Sequence, residues 1–190
     1  MEEIVKDAIK ENQFLAEDLL KNHIDKIILI SKIISNSIKK GGTVFWCGNG
    51  GSSSDSQHLA AELIGRFKKN RVPLKSISLN SDTAVITCIS NDFGYDQIYS
   101  RQIEALGSKN DVIVGISTSG DSPNVVEGIK KSNDIGLTSI GLLGKSGGQL
   151  GKIVNYSLII NSFNTARIQE FHILIGHLLC ELIEKELKLD

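Results

Sequence analysis

Residues 43–65 read TVFWCGNGGSSSDSQHLAAELIG. An apolar run turns through Gly48-Asn49-Gly50-Gly51, crosses Ser52, Ser53 and Ser54, and continues as a helical pattern. A strand that passes through glycines into a helix N-terminus is half of a βαβ unit, and it commits the chain to a parallel sheet covered by helices. The same turn is an anion cradle, because free backbone N–H groups and the positive end of the helix dipole meet there. Glycine lets the backbone come close to a ligand and take φ > 0. His58 and Glu62, four residues apart, share one face of this helix and can share a ligand.

The design repeats downstream. Val112-Ile113-Val114-Gly115-Ile116 is a short apolar run of the kind buried in a parallel sheet. It leads into Ser117-Thr118-Ser119-Gly120-Asp121-Ser122-Pro123-Asn124, with a helix predicted over 124–133. Further strands are predicted over 74–79, 138–143 and 156–160. Ser81-Asp82-Thr83 caps a short helix running through Cys88, residues 91–95 read as a loop, and 96–106 and 165–187 read as helices. Residues 2–40 carry apolar side chains at helical spacing and read as two helices hinged near Asn22-His23, ending at Lys39-Lys40-Gly41-Gly42. The expectation is one three-layer α/β/α domain over 1–190: an N-terminal helical segment, 1–40, and an α/β core, 41–190, on a five-stranded parallel sheet. Ligands of such sheets bind outside the carboxyl ends of the strands, where both Ser/Gly loops lie.

Composition narrows the partners. A formal net charge of −1 and the lack of a long basic run argue against nucleic acid or an anionic membrane as the main partner. The first residues lack the apolar core of a signal peptide, and no apolar run approaches the roughly 20 residues of a membrane span. Cys47, Cys88 and Cys180 are odd in number and widely spaced, which suits neither a disulfide framework nor a zinc knuckle and fits a reducing cytoplasm.

Neither common nucleotide pattern fits the first loop. GxGxxG needs glycine where Ser53 stands, and a Walker loop needs Gly-Lys-Ser/Thr before the helix. Hydroxyls and amides without clustered Lys or Arg suit a single phosphate on a sugar. His58 and Glu62 by themselves suit either a simple hydrogen bond or half of a metal site. In the last helix Gln169 and His177 are eight residues apart, about 80° around the axis, and can approach one ligand from successive turns. His58, Glu62, Gln169 and His177 together would form a mixed N/O set that tolerates zinc or another divalent ion. His172 falls on another face and reads as structural, as does His23; Cys180 reads as core.

Four stretches together resemble the phosphoheptose isomerases of the sugar isomerase (SIS) domain family: CGNGGSSSDSQHLAAELIGRF at 47–67, SNDFGYDQIYSRQIEALG at 90–107, GISTSGDSPNV at 115–125 and TARIQEFHILIGH at 165–177. The resemblance implies a flavodoxin-like SIS fold and a homotetramer with active sites between subunits. It also implies one zinc per site, held by His58, Glu62, Gln169 and His177. Glu62 and His177 match the acid–base pair. Asn49, Gly50, Gly51, Ser52, Glu62, Asn91, Asp92, Ser117, Thr118, Ser119, Ser122 and Gln169 match substrate contacts, the serines gripping the phosphate. Ala166 departs from the pattern, standing where some members have an acid.

The implied reaction converts the ketose sedoheptulose 7-phosphate to D-glycero-D-manno-heptose 7-phosphate through an enediol, at the head of nucleotide-activated heptose synthesis for lipopolysaccharide or capsule. His177 is expected to act as base and Glu62 as acid. The competing expectations are an isomerase of another sugar phosphate, or a non-catalytic SIS module that binds a sugar phosphate or the replication initiator. Such a module can lose the acid–base pair; here Glu62 and His177 are both in place.

Overall fold

In the computed structural model, which describes residues 1–189, period-two alternation divides four of the five strands between two cores. The strands are β1 (Val44–Gly48), β2 (Ser76–Ser78), β3 (Val112–Ser117), β4 (Thr138–Gly144) and β5 (Tyr156–Ile160), all parallel, in the order β2-β1-β3-β4-β5. Val44, Trp46, Val112, Val114, Ile140 and Leu142 face one layer; Phe45, Cys47, Ile113 and Leu143 face the other. The first layer holds α1 (Glu2–Asn22), α2 (Ile24–Lys39), α3 (Gly51–Ile64) and α8 (Thr165–Glu186). The second holds α4 (Thr83–Phe93), α5 (Ser100–Leu106), α6 (Pro123–Asp134) and α7 (Leu150–Ile153). This is the expected three-layer α/β sandwich. The only tryptophan, Trp46, is fully buried and donates its indole N–H to Ser76 Oγ at 2.9 Å, which ties β1 to the edge strand.

Boundaries follow local chemistry. His23 separates α1 from α2, the expected hinge. The Asp82 carboxylate accepts from Val85 N at 3.0 Å and caps α4. Pro123 opens α6, where its missing N–H costs no hydrogen bond. Three expectations are corrected. Residues 91–93 are the last turn of α4 rather than loop, and the helix stops at Gly94, whose φ of +89° ends it. The strand expected over 74–79 pairs only at Ser76–Ser78, since as an edge strand it has β1 alone to pair with, and Leu74 N instead bonds Leu63 O. The helix expected from residue 96 is a 3-10 turn at Tyr95–Gln97 followed by α5. No helix among the described residues is long and apolar enough to cross a membrane.

Candidate active site

β1 and β3 are neighbours, and the chain leaves them toward opposite faces of the sheet, into α3 and α6. A crevice therefore opens above their carboxyl ends. Two loops build its walls. In the first, Gly48 is held by Asn80, whose Oδ1 accepts from Gly48 N at 3.3 Å and whose Nδ2 donates to Gly48 O at 2.9 Å. Tyr99 OH donates to the same carbonyl at 2.5 Å. Gly50 takes φ +57° and starts α3, so the free N–H groups of the first helical turn face the crevice. Ser52, at that turn, is 4% exposed.

In the second loop Ser117 Oγ is the hub. It lies 3.3 Å from Ser119 Oγ and 3.0 Å from Ser122 Oγ, and accepts from Gly120 N at 3.1 Å. Ser119 Oγ accepts from Asp121 N at 3.1 Å. Thr118 stands half-buried beside them. A reciprocal amide pair locks the loops together: Asn49 Nδ2 donates to Asn124 Oδ1 and Asn124 Nδ2 donates to Asn49 Oδ1, both at 2.8 Å. Hydroxyls and backbone N–H groups thus converge, and among the described residues no lysine or arginine side chain is hydrogen-bonded into either loop, an arrangement suited to one phosphate monoester.

Two turns along α3 lies the second half of the site. His58 Nε2 is 3.0 Å from Glu62 Oε1 and 3.1 Å from His177 Nε2 of α8, and the donor atoms of all three residues fall within 4.8 Å of one another. Phe67, just past α3, stacks on the His177 ring at 5.6 Å and 24°. The geometry suits a cation. A carboxylate only accepts, so a proton on His58 Nε2 serves Glu62 and leaves that nitrogen nothing to offer His177. With a divalent ion between them, all three atoms become lone-pair donors to one centre. Tetrahedral zinc with bonds of 2.0–2.1 Å sets its ligands about 3.3 Å apart, close to these spacings. His58, Glu62 and His177 therefore fit the expected metal.

Gln169 lies two turns before His177 on α8, and its amide rests on the Cα of Gly51, in the space a methyl group would fill. No hydrogen bond joins it to the His58–Glu62–His177 group; it joins α8 to the anion-cradle end of α3. Asn91 and Asp92 are exposed, with Asn91 Nδ2 donating to Asp92 Oδ1 at 2.8 Å. Asp92 Oδ2 also lies 3.8 Å from Cys88 Sγ, and Tyr95, two residues past α4, donates to Asn49 Oδ1 at 3.2 Å. His172 is fully buried, as its face predicts, and donates Nε2–H to Leu143 O at 3.0 Å. Cys180 is buried core, and its thiol is pushed up to about 12 by burial.

Sequence reasoning missed several members. Asn80 and Tyr99 hold the first loop as ordinary polar residues outside both Ser/Gly loops, and Asn124, at the end of the second loop, holds the two together without having been given a role. Asp55 sits one turn before His58 with Oδ2 buried and unpartnered; burial lifts its carboxyl to about 6, against the pull of His58. An aspartate at i−3 to a candidate ligand was the available signal.

Paired Ser/Gly loops at the carboxyl edge of a 2-1-3-4-5 sheet, with an imidazole–carboxylate cluster beside them, define a sugar isomerase (SIS) domain protein, and residues 9–144 match the SIS domain family. The phosphoheptose isomerase of Aquifex aeolicus is 45% identical over 185 residues, covering 97% of each chain. That of Campylobacter jejuni is 46% identical over 184 residues, covering 96% of this chain and 97% of its own. The solved phosphoheptose isomerase of Neisseria gonorrhoeae superimposes with a TM-score of 0.91 at 35% identity, covering 97% of this chain and 98% of that one. The chain belongs to the phosphoheptose isomerase family.

Proposed function

We propose that the protein is an aldose–ketose isomerase interconverting sedoheptulose 7-phosphate and D-glycero-D-manno-heptose 7-phosphate in the cytoplasm, the first step toward a nucleotide-activated heptose. The convergence of His58, Glu62 and His177 from two helices beside a phosphate cradle carries this reading. The phosphate is bound by the Ser52 turn and by Ser117, Thr118, Ser119 and Ser122. Anchoring it fixes one end of a flexible seven-carbon chain and brings the C1–C2 end toward the imidazole–carboxylate cluster.

On the open-chain ketose, His177 Nε2 accepts a proton from C1 while Glu62 supplies one to O2, giving the cis-enediol. Removal of the O1 proton and return of a proton to C2 give the aldose. Each group is worth roughly 10²–10⁴-fold in rate. Glu62 has two oxygens, so Oε1 can face His58 while Oε2 handles the proton. Zinc held by His58, Glu62 and His177, with Gln169 as the expected fourth ligand, would supply Lewis-acid polarisation of the carbonyl when bound. The single lone pair of His177 Nε2 serves either the ion or the C1 proton, so ligation and proton transfer exclude each other at that atom, and the ion is structural or weakly held there. Asn49, Gly50, Gly51, Gln169, Asn91 and Asp92 are assigned to the sugar hydroxyls.

The assembly we propose is a homotetramer with sites completed across subunits. Its support is the apolar side chains that α1 leaves uncovered, among them Ile4, Phe14 and Leu20 at 73%, 64% and 70% exposure, and a groove of about 500 Å³ between α1 and the start of α8. The outward-facing Asn91 and Asp92 also fit a site shared with a neighbour.

Proton exchange at C1 of sedoheptulose 7-phosphate in D₂O tests the chemistry. Wild-type protein is expected to incorporate deuterium and form aldose, and Glu62→Gln to do neither while remaining folded. Turnover by that variant near the wild-type rate would remove Glu62 from proton transfer. Absence of exchange by the wild type would favour a binding module.

A further inference from the structure

Arg71 and Glu184 form a buried ion pair 113 residues apart in sequence, with side chains 2% and 4% exposed and Nε donating to Oε1 at 2.9 Å. A buried pair of this kind is by itself weak evidence for stability, because its desolvation offsets much of the attraction. What each partner holds is more telling. The Glu184 carboxylate also accepts from Phe67 N at 3.1 Å, Lys68 N at 3.0 Å and Lys69 N at 3.2 Å, so its lone pairs are filled by the segment that leaves α3. The guanidinium donates to Glu62 O at 2.8 Å and Leu63 O at 2.7 Å, carbonyls of the last turn of α3 that have no partner within the helix. A cation there also complements the negative end of the helix dipole.

The connection runs from α8 back to itself. Glu184 lies two turns past His177 on α8, and its carboxylate holds Arg71, which holds the backbone of Glu62. The same carboxylate fixes the start of the loop whose Phe67 stacks on His177. One side chain of α8 thereby secures both the carboxylate and the aromatic ring that face His177.

We infer that Arg71 and Glu184 are positioning residues for the isomerisation, setting the placement of Glu62 and Phe67 against His177 from outside the substrate crevice. The inference rests on Glu62 and His177 being the proton-transferring pair. The phosphate loops lie at the opposite end of α3 and do not depend on the clamp, so its loss should act on turnover and metal retention rather than on substrate capture.

The test uses the full chain with sedoheptulose 7-phosphate, zinc affinity measured by competition with a chelator, and folding followed by far-UV circular dichroism and Trp46 fluorescence. Arg71→Met and Glu184→Gln are expected to lower kcat roughly 10- to 100-fold with KM little changed. They should also lower zinc affinity about 10- to 100-fold, as loss of an outer-shell partner does. Arg71→Lys, able to reach one carbonyl, should fall between. Folded variants with wild-type kcat and zinc affinity and only a lower Tm would overturn the proposal. Should the two larger changes prevent folding, Arg71→Lys and Phe67→Leu decide, and wild-type kcat in both would overturn it. Glu62→Gln, assayed alongside, separates the two readings: an active Glu62→Gln removes the catalytic assignment, and the zinc measurement then decides the clamp alone.

Discussion

Gly176 of α8 faces Leu59 of α3 so closely that a methyl group on its Cα would stand 2.6 Å from both Leu59 Cδ atoms. His177 follows the glycine and His58 precedes the leucine, so this contact sets how near the two imidazoles come. Gly176→Ala is expected to push the helices apart, destabilising the protein by about 1–3 kcal/mol as overpacked cores do. Zinc affinity and turnover should fall with it. Urea unfolding and a zinc titration check the two effects, and unchanged zinc binding would show that α3 slides without separating the histidines.

His58 touches both other members of the cluster and belongs to neither acid nor base role. His58→Ala should therefore reduce zinc affinity by more than the roughly 10–100-fold typical of outer-shell losses. Elemental analysis after dialysis gives the stoichiometry; one zinc per chain retained by the variant would exclude His58 as a ligand.

Two glycines predict contrasting outcomes. At Gly51 the nearest atoms a methyl would meet are the amide end of Gln169, a flexible side chain, and the backbone is helical. Gly51→Ala is expected to leave Tm almost unchanged while raising KM by displacing Gln169 and narrowing the cradle. At Gly120 φ is +74° and the methyl would meet the backbone of Gly147. Gly120→Ala should lose about 1–3 kcal/mol from the left-handed conformation alone, before the clash is added. Thermal melts and KM for the two variants, measured side by side, separate these cases.

Much of the fold was legible in the sequence for physical reasons. Val112–Ser117 and Thr138–Gly144 are buried on both faces, so they read as unbroken apolar runs, and glycines punctuate their ends. Residues 91–93 were misread because Asn and Asp favour turns when isolated, whereas here they extend a helix already under way and stop only at Gly94. The four-residue α7 is too short to show a period. At the site, glycine and serine spacing exposed both loops, and one helix face paired His58 with Glu62. The approach of His177 was beyond spacing: 119 residues separate it from His58, and the packing of α8 on α3, close at Gly176 and Leu59, brings them to 3.1 Å. Asn124, Asn80 and Tyr99 escaped notice because a loop-holding role depends on partners distant in sequence.

Stability should depend on pH through His172. Burial lowers its pKa from 6.5 to about 4, so the folded protein keeps the ring neutral where the unfolded chain has taken up a proton. The sign follows: stability is fully present above 6.5 and declines as pH falls toward 4, by up to about 3 kcal/mol for a shift of this size. Below the ordinary glutamate value of 4.5 a second loss begins at Glu184. Burial would raise that carboxyl, but the N–H groups of Phe67, Lys68, Lys69 and Arg71 hold it below its usual range. His172→Gln, whose amide can still donate to Leu143 O, is expected to flatten the decline between pH 6.5 and 4. Denaturation midpoints across that range, wild type against variant, provide the check.

Because all five strands point the same way, both phosphate-binding loops gather on one rim of the sheet, and the opposite rim is left to carpentry. There Asp111 Oδ1 accepts from Thr43 N at 2.7 Å and Ser37 Oγ donates to Asn110 O at 2.7 Å, joints that hold strand beginnings in place. The exposed bend at Lys40-Gly41, beside those joints, is accordingly where an affinity handle or a surface tether would leave the reacting edge undisturbed.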